Sequence, residues 1–173
     1  MEERIRTCIE EVVAEVAMQH VPEIYLVDIA IKRVGRGKKI EVLVDTDRGI
    51  SISQCASLSR KIRERLEGDE VLSPALGGDF ELLVSSPGIG EPVRKHRQYI
   101  RHIGRLLKVV HVNEEGVQVE TVGRLVQAVV ADEQEPFIVI EPQKAGKSRK
   151  TLQTGSLTLR LADIVRASVQ VEL

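Results

Sequence analysis

Tryptophan is absent from this 173-residue chain, and Tyr25, Tyr99, Phe80 and Phe137 are its only aromatic residues. So few rings argue against recognition by a platform of stacked bases, which needs several of them on one surface. Cysteine is scarcer still. Cys8 and Cys55 make neither a disulfide scaffold nor a metal site, and both fall on the apolar stripes of helical patterns, where buried free thiols are expected. No run approaches 18 apolar residues and no hydrophobic signal segment is present, so the chain reads as cytoplasmic and soluble, with no membrane among its partners. A dominant charge is missing too: 25 basic residues face 26 acidic ones, for a formal net charge of −1. Without a global basic field, any nucleic-acid contact has to come from local patches.

What is present is aliphatic. The apolar fraction of 42% supports a real core, and the length allows one large or two small domains. Residues 2 to 19 place Ile5, Cys8, Ile9, Val12, Val16 and Ala17 at helical spacing, which predicts an amphipathic helix stopped by Pro22. Tyr25, Val27, Ile29 and Ile31 alternate, as do Ile40, Val42 and Val44, and Gly35 and Gly37 allow a reversal between them. A β-hairpin follows from that pattern. Ser51 and Gln54 have the spacing of a capping box, opening a second helix whose buried stripe is Ile52, Cys55, Leu58, Ile62 and Leu66. Residues 68 to 78 read as a loop, and Phe80 to Val84 as a third strand with one well-buried face. The result is two helices on one face of a small mixed sheet, an α+β layer.

The strand ends at Ser85-Ser86-Pro87-Gly88, where Pro87 and Gly88 fit the centre of a type II turn. Pro92 follows within four residues. Beyond a short helix at 94 to 102, strands are expected at 106–112, 116–121, 123–131, 136–141 and 166–172. A Thr/Leu alternation lies at 151–161, with a single helical turn at 161–165. Five or so short strands with no long helix suggest a small closed antiparallel barrel. The expected domains are therefore residues 1–92 and 93–173.

Candidate chemistry is sparse. Ser85 or Ser86 as a nucleophile would need a base and an orienting group, and no spacing ties any of the four histidines to them. Asp28, Asp45 and Asp47 match no compact metal motif. No catalytic residue, metal or cofactor is assigned. Cations are the stronger signal: Arg36, Lys38 and Lys39 at the hairpin tip, and Arg94, Lys95, Arg97, Arg101 and Arg105 just past the turn. A further cluster, Lys144, Lys147, Arg149 and Lys150, lies between two expected strands. Contacts of this kind with phosphates position a protein without reading sequence.

Several blocks, in order, resemble the ribosome maturation factor RimP family over nearly the whole chain. They are Leu26-Val27-Asp28; Val42 to Asp45 with Gly49 to Ile52, Cys55 and Leu58-Ser59-Arg60; Leu82 to Gly88; Pro92, Arg94-Lys95 and Arg101 to Gly104; and Leu161 to Ala167. Where the family pattern continues with a hydrophobic residue, Asp, Arg and Pro, this chain has Ile89-Gly90-Glu91-Pro92. The resemblance implies an N-terminal α/β domain with a KH-like or ferredoxin-like layout, then a small SH3-like or Sm-like barrel. It also implies a monomeric, non-enzymatic assembly factor for the small (30S) ribosomal subunit, with the immature 30S particle, 16S rRNA and ribosomal protein S12 as partners. The signature turn would be Ser85, Ser86, Pro87, Gly88 and Pro92. Lys147, Arg149, Asp163 and Ile164 would belong to a partner-protein surface, reached at a strand edge. A generic translation-associated RNA-binding module and a purely protein-binding adaptor are the alternatives.

Overall fold

Acidic and aliphatic residues alternating at helical spacing wind the first element, α1 (Glu2–Ala17), with Glu2 and Glu3 in its first turn, where the helix dipole favours anions. The computed structural model describes residues 1–19, 23–77, 80–131, 133–143 and 155–172. The chain divides into two units, Met1–Pro87 and Gly88–Leu173.

In the first unit, β1 (Tyr25–Val34) and β2 (Gly37–Asp45) form the expected antiparallel hairpin. Gly35 sits at φ +60° in its two-residue turn, a conformation that favours glycine. At the end of β2 the chain folds on itself through buried polar groups. The Asp45 carboxylate accepts from the Thr46 N–H (2.9 Å), and the Thr46 hydroxyl donates to the Gly49 carbonyl (2.8 Å). The helix α2 (Ile52–Gly68) then begins at a capping box closed in both directions between Ser51 and Gln54.

Residues expected as loop contain instead a short helix, α3 (Leu72–Leu76). The Asp69 carboxylate starts it by accepting from the N–H groups of Val71 and Leu72, both at 2.9 Å. Pro74 falls in its first turn, where a missing N–H costs nothing. The strand β3 (Glu81–Ser85) pairs in parallel with β2, giving the order β1-β2-β3. Ile5, Ile9 and Val12 of α1, Leu58, Ile62 and Leu66 of α2, and Ile29, Ile40, Val42 and Val84 of the sheet share one aliphatic cluster. Each such fully buried side chain stabilises the fold by about 1.5–3 kcal/mol relative to exposure.

The second unit carries a short helix, α4 (Gln98–Arg101), and five strands: β4 (Leu106–Val112), β5 (Gln118–Val129), β6 (Phe137–Pro142), β7 (Leu157–Arg160) and β8 (Ile164–Val169). Their order is β7-β6-β5-β4-β8, with every neighbouring pair antiparallel. The sheet is open, and this overturns the expected SH3-like or Sm-like barrel. The strands β7 and β8 follow each other directly through one 3₁₀ turn (Leu161–Asp163), yet they stand at opposite ends of the sheet. The expected strands also did not include β7, whose residues fall in the Thr/Leu alternation at 151–161, and closure depends on pairing the first strand with the last.

A second correction concerns β5. Two strands were expected around Gly123; one continuous strand runs through it. Glycine is there because β6 passes so close that a Cβ at position 123 would lie 2.7 Å from the Glu141 carbonyl oxygen. A Gly123→Ala substitution should therefore push β5 and β6 apart and destabilise the protein by about 1–3 kcal/mol. Urea denaturation followed by circular dichroism reads the shift in midpoint.

Candidate functional site

Between Pro92 and Asn113 the sequence contains no carboxylate and six cations, Arg94, Lys95, Arg97, Arg101, Arg105 and Lys108. The fold pins this segment at both ends. Its start lies along β8: the Val93 N–H donates to the Ala167 carbonyl (2.8 Å), and Pro92 bridges to Ser168. Its end is tied to β5 by hydrogen bonds from Gly104 N–H to the Leu125 carbonyl (2.7 Å) and from Leu125 N–H to the Arg105 carbonyl (2.9 Å).

Between the pins, one side chain orders the backbone. Gln98 is buried, and its Oε1 accepts from the N–H groups of Arg94 (2.7 Å) and Lys95 (2.8 Å). The next residue, Tyr99, is buried in the cluster of Leu107, Val109, Leu125 and Ile138. With those two residues inside, Arg94, Lys95 and Arg105 are exposed and Arg97 and Arg101 half-exposed. The five expected phosphate contacts of this stretch thus lie on one anchored segment. The part played by Gln98 has no signature in the sequence, where it is one polar residue in a polar run.

The hairpin tip is a smaller patch in the first unit. Arg36 is exposed, and Lys38 and Lys39 are half-buried. Lys39 stands opposite Lys32 in the β1–β2 register, a repulsive pairing on its own. Glu41 offsets it with ion pairs of 3.4 Å to Lys39 and 3.6 Å to Lys32. That leaves Arg36 and Lys38 as the cations of this patch with no ion pair among the described residues.

Ser85 ends β3, and Ser85 and Ser86 help line a cleft of about 380 Å³ with Ile50, Cys55, Ala56, Ser59 and Leu82. Its lining contains no His, Asp or Glu, so nothing there could activate a serine. Burial, with a smaller contribution from the Asp45 carboxylate, pushes the Cys55 thiol above its ordinary range, away from a reactive thiolate. The turn lies two residues later than expected. Gly88 does not have positive φ; Gly90 does, at +90°, and the Glu91 N–H donates to the Gly88 carbonyl at 3.2 Å. Ile89 and Gly90 are therefore the central pair, with glycine at the third position, where a type II turn wants it. Glu91 is exposed beyond it.

Asp163 ends the 3₁₀ turn and Ile164 begins β8, opposite His111. Asp163 lines a cleft that also contains His111, Arg160 and the turn Asn113–Glu115. Lys147 and Arg149, assigned with them to a partner surface, lie outside the described residues, as do Lys144 and Lys150. Among the described residues no group of three or more His, Cys, Asp or Glu is placed to hold a metal ion, and no helix is long and apolar enough to cross a membrane.

Residues 9–90 match the family model described as the RimP N-terminal domain. Over its full length the chain is 45% identical to a protein of Pelodictyon phaeoclathratiforme named ribosome maturation factor RimP, all of which is covered. A protein of that name from Prosthecochloris aestuarii is 47% identical over 97% of this chain and 94% of its own, and one from Chlorobium phaeobacteroides is 44% identical over all of both. The chain belongs to the RimP family. The stretch matched by the RimP N-terminal domain runs from the middle of α1 to the glycine of the Gly88–Glu91 turn, so it includes Ser85-Ser86-Pro87-Gly88.

Two outcomes follow for the RimP-family basic segment. Gln98→Ala would leave the part-buried N–H groups of Arg94 and Lys95 without their acceptor, at a cost of about 1 kcal/mol for each bond. Hydrogen exchange at those amides should rise well before the amides of β4 respond. The second outcome concerns pH. Burial pushes the Tyr99 phenol from 10 up to about 12. Between those values the folded chain keeps a proton that the unfolded chain releases. The stability this contributes is complete below the unfolded value and is lost as pH rises through the folded one. The loss should be on the order of 2 kcal/mol, and Tyr99→Phe should abolish that part of the alkaline slope in denaturation curves.

Proposed function

We propose that this chain is a non-catalytic, cytoplasmic assembly factor for the small (30S) ribosomal subunit. In this reading it binds the immature particle through phosphates of the 16S rRNA and holds ribosomal protein S12 with its second unit. Membership of the RimP family supports the general role. The observation that carries the rRNA contact is the anchored, carboxylate-free segment from Arg94 to Arg105. Its guanidinium and ammonium groups sit on a backbone fixed by Gln98 and Tyr99, so binding orders little of the protein. Arg36 and Lys38 at the hairpin tip are a second set of phosphate contacts. Such contacts release counterions, and affinity falls with salt in proportion to their number. Residues 1–92 and 93–173 act as separate domains, the first contributing the hairpin tip, and Asp163 with Ile164 forms part of the S12 surface.

Co-sedimentation with immature 30S particles over a range of salt concentrations tests the reading. The full-length protein should bind with a steep salt dependence. A triple substitution of Arg94, Lys95 and Arg105 to alanine should lower the slope of log K against log salt by about 2–3. A flat salt profile in the parent protein would instead point to an adaptor bound through protein alone. Absence from the particles at low salt would end the proposal altogether. S12 should be retained by fragment 93–173 and not by fragment 1–92.

A further inference from the structure

We propose that the cleft of the second unit between β7 and the β4–β5 turn binds an extended, cationic peptide segment of a protein partner, which adds to β7 as a further strand. This deepens the partner-protein part of the function proposed above and rests on it. Three independent features of the cleft support it.

The first is an open strand edge. Of the two ends of this sheet, β8 is covered on its outer side by Val93 and Pro92, through the Val93–Ala167 hydrogen bond and the Pro92–Ser168 bridge. By contrast, β7 pairs with β6 alone among the described residues. Its residues Leu157 to Arg160 form one wall of a cleft of about 720 Å³. A strand edge facing such a space offers main-chain donors and acceptors at the spacing of a partner strand.

The second is an unpaired nitrogen. His111 is 4% exposed and lines the cleft. Its Nε2 lies 2.9 Å from the Thr121 hydroxyl, while Nδ1 is buried with no hydrogen-bond partner among the described residues. Burial lowers the imidazole pKa, against a smaller opposing effect of the Asp163 carboxylate, which favours the neutral ring. Because a hydroxyl can donate or accept, Nδ1 can carry the proton or the lone pair as required. A main-chain carbonyl or N–H of an added strand would satisfy it, removing the penalty of an unpaired buried polar atom.

The third is charge. Glu114, Glu115 and Asp163 line the cleft against a single cation, Arg160. That guanidinium is already engaged by Asp163 at 3.0 Å and Glu135 at 3.4 Å. The remaining field is negative. It repels nucleic-acid phosphate and attracts lysine or arginine side chains, which alternate onto one face of an extended strand.

The probe is a capped peptide in which lysine and valine alternate over about nine residues, titrated into the full-length protein labelled with ¹⁵N. Saturable one-to-one binding is expected, with backbone shifts at Leu157–Arg160 and Asn113–Glu115 and movement of the His111 Nδ1 resonance. Replacing both Glu114 and Glu115 by glutamine, at exposed turn positions, should weaken binding by about fivefold or more. The same peptide methylated on alternate amides keeps its charge but cannot pair as a strand, and should weaken by about tenfold or more. Equal affinity of the methylated peptide, shifts elsewhere, a stationary His111 signal or no binding would each overturn the proposal. If the peptide fails while the protein still co-sediments with immature 30S particles and retains S12, the cleft assignment falls alone. Loss of both binding activities would take the proposed function with it.

Discussion

A parallel strand pair cannot be closed by a turn, and the first unit is built around that constraint. β3 runs alongside β2 in the same direction, so the chain must travel the length of the sheet before β3 can begin, and such crossovers are usually helical. Residues 45 to 80 make that journey. The buried Asp45-Thr46 corner turns the chain out of β2, the Ser51–Gln54 box starts α2, and the Asp69 carboxylate starts α3. The helix α2, which helps cover the sheet, is thus also the means of pairing β2 with β3. The parallel pair ends at Ser85, so the Ser-Ser-Pro-Gly sequence lies where the layer runs out, and its form follows from that position. Pro87 can neither continue the ladder nor start a helix at Ser86.

Features that repeat with a short period were legible. The α1 stripe, the β1–β2 hairpin and the capping box each depend on residues a few positions apart, and each is present as read. The α2 stripe is present from Cys55 to Leu66, whereas Ile52, in the first turn beside the cap, is 90% exposed. Features set by distant neighbours were not. Gly123 reads as a strand break from its own surroundings, and only the Glu141 carbonyl pressed against it explains why it lies within a strand. The barrel failed for the same reason, since closure is a relation between β7 and β8 that no local pattern encodes. The misplaced turn was a choice between two glycines. Gly88 follows a proline and so looked like the positive-φ position, but the hydrogen bond that forms the turn runs from Glu91 to Gly88.

The functional surfaces divide in the same way. Cation clusters are visible in one dimension, so Arg94 to Arg105 could be named in advance. What makes that stretch more than a solvated run is the pair Gln98 and Tyr99, one tying down the backbone and the other buried in the core. Neither residue carries charge, and a search for basic residues passes over both. No sequence spacing distinguishes His111 from the other three histidines. Its Nδ1, buried and without a hydrogen-bond partner among the described residues, is visible only in the folded chain.

The sheet edges connect the fold to its surfaces. An uncovered edge invites association, and proteins commonly protect edges with charge, proline or a covering segment. In the second unit one segment covers an edge and also presents the cations: Pro92 and Val93 cap β8, and the chain then leads directly into Arg94 and Lys95. Fixing the basic segment and closing that edge are therefore the same set of contacts. The opposite edge, β7, has no such cover among the described residues and lines a cleft together with Glu114, Glu115, Asp163 and His111. A chain with almost no net charge can in this way keep two opposite electrostatic surfaces on a single sheet. The sign at each depends on what the fold sets beside it, which is why net charge alone says so little about either partner.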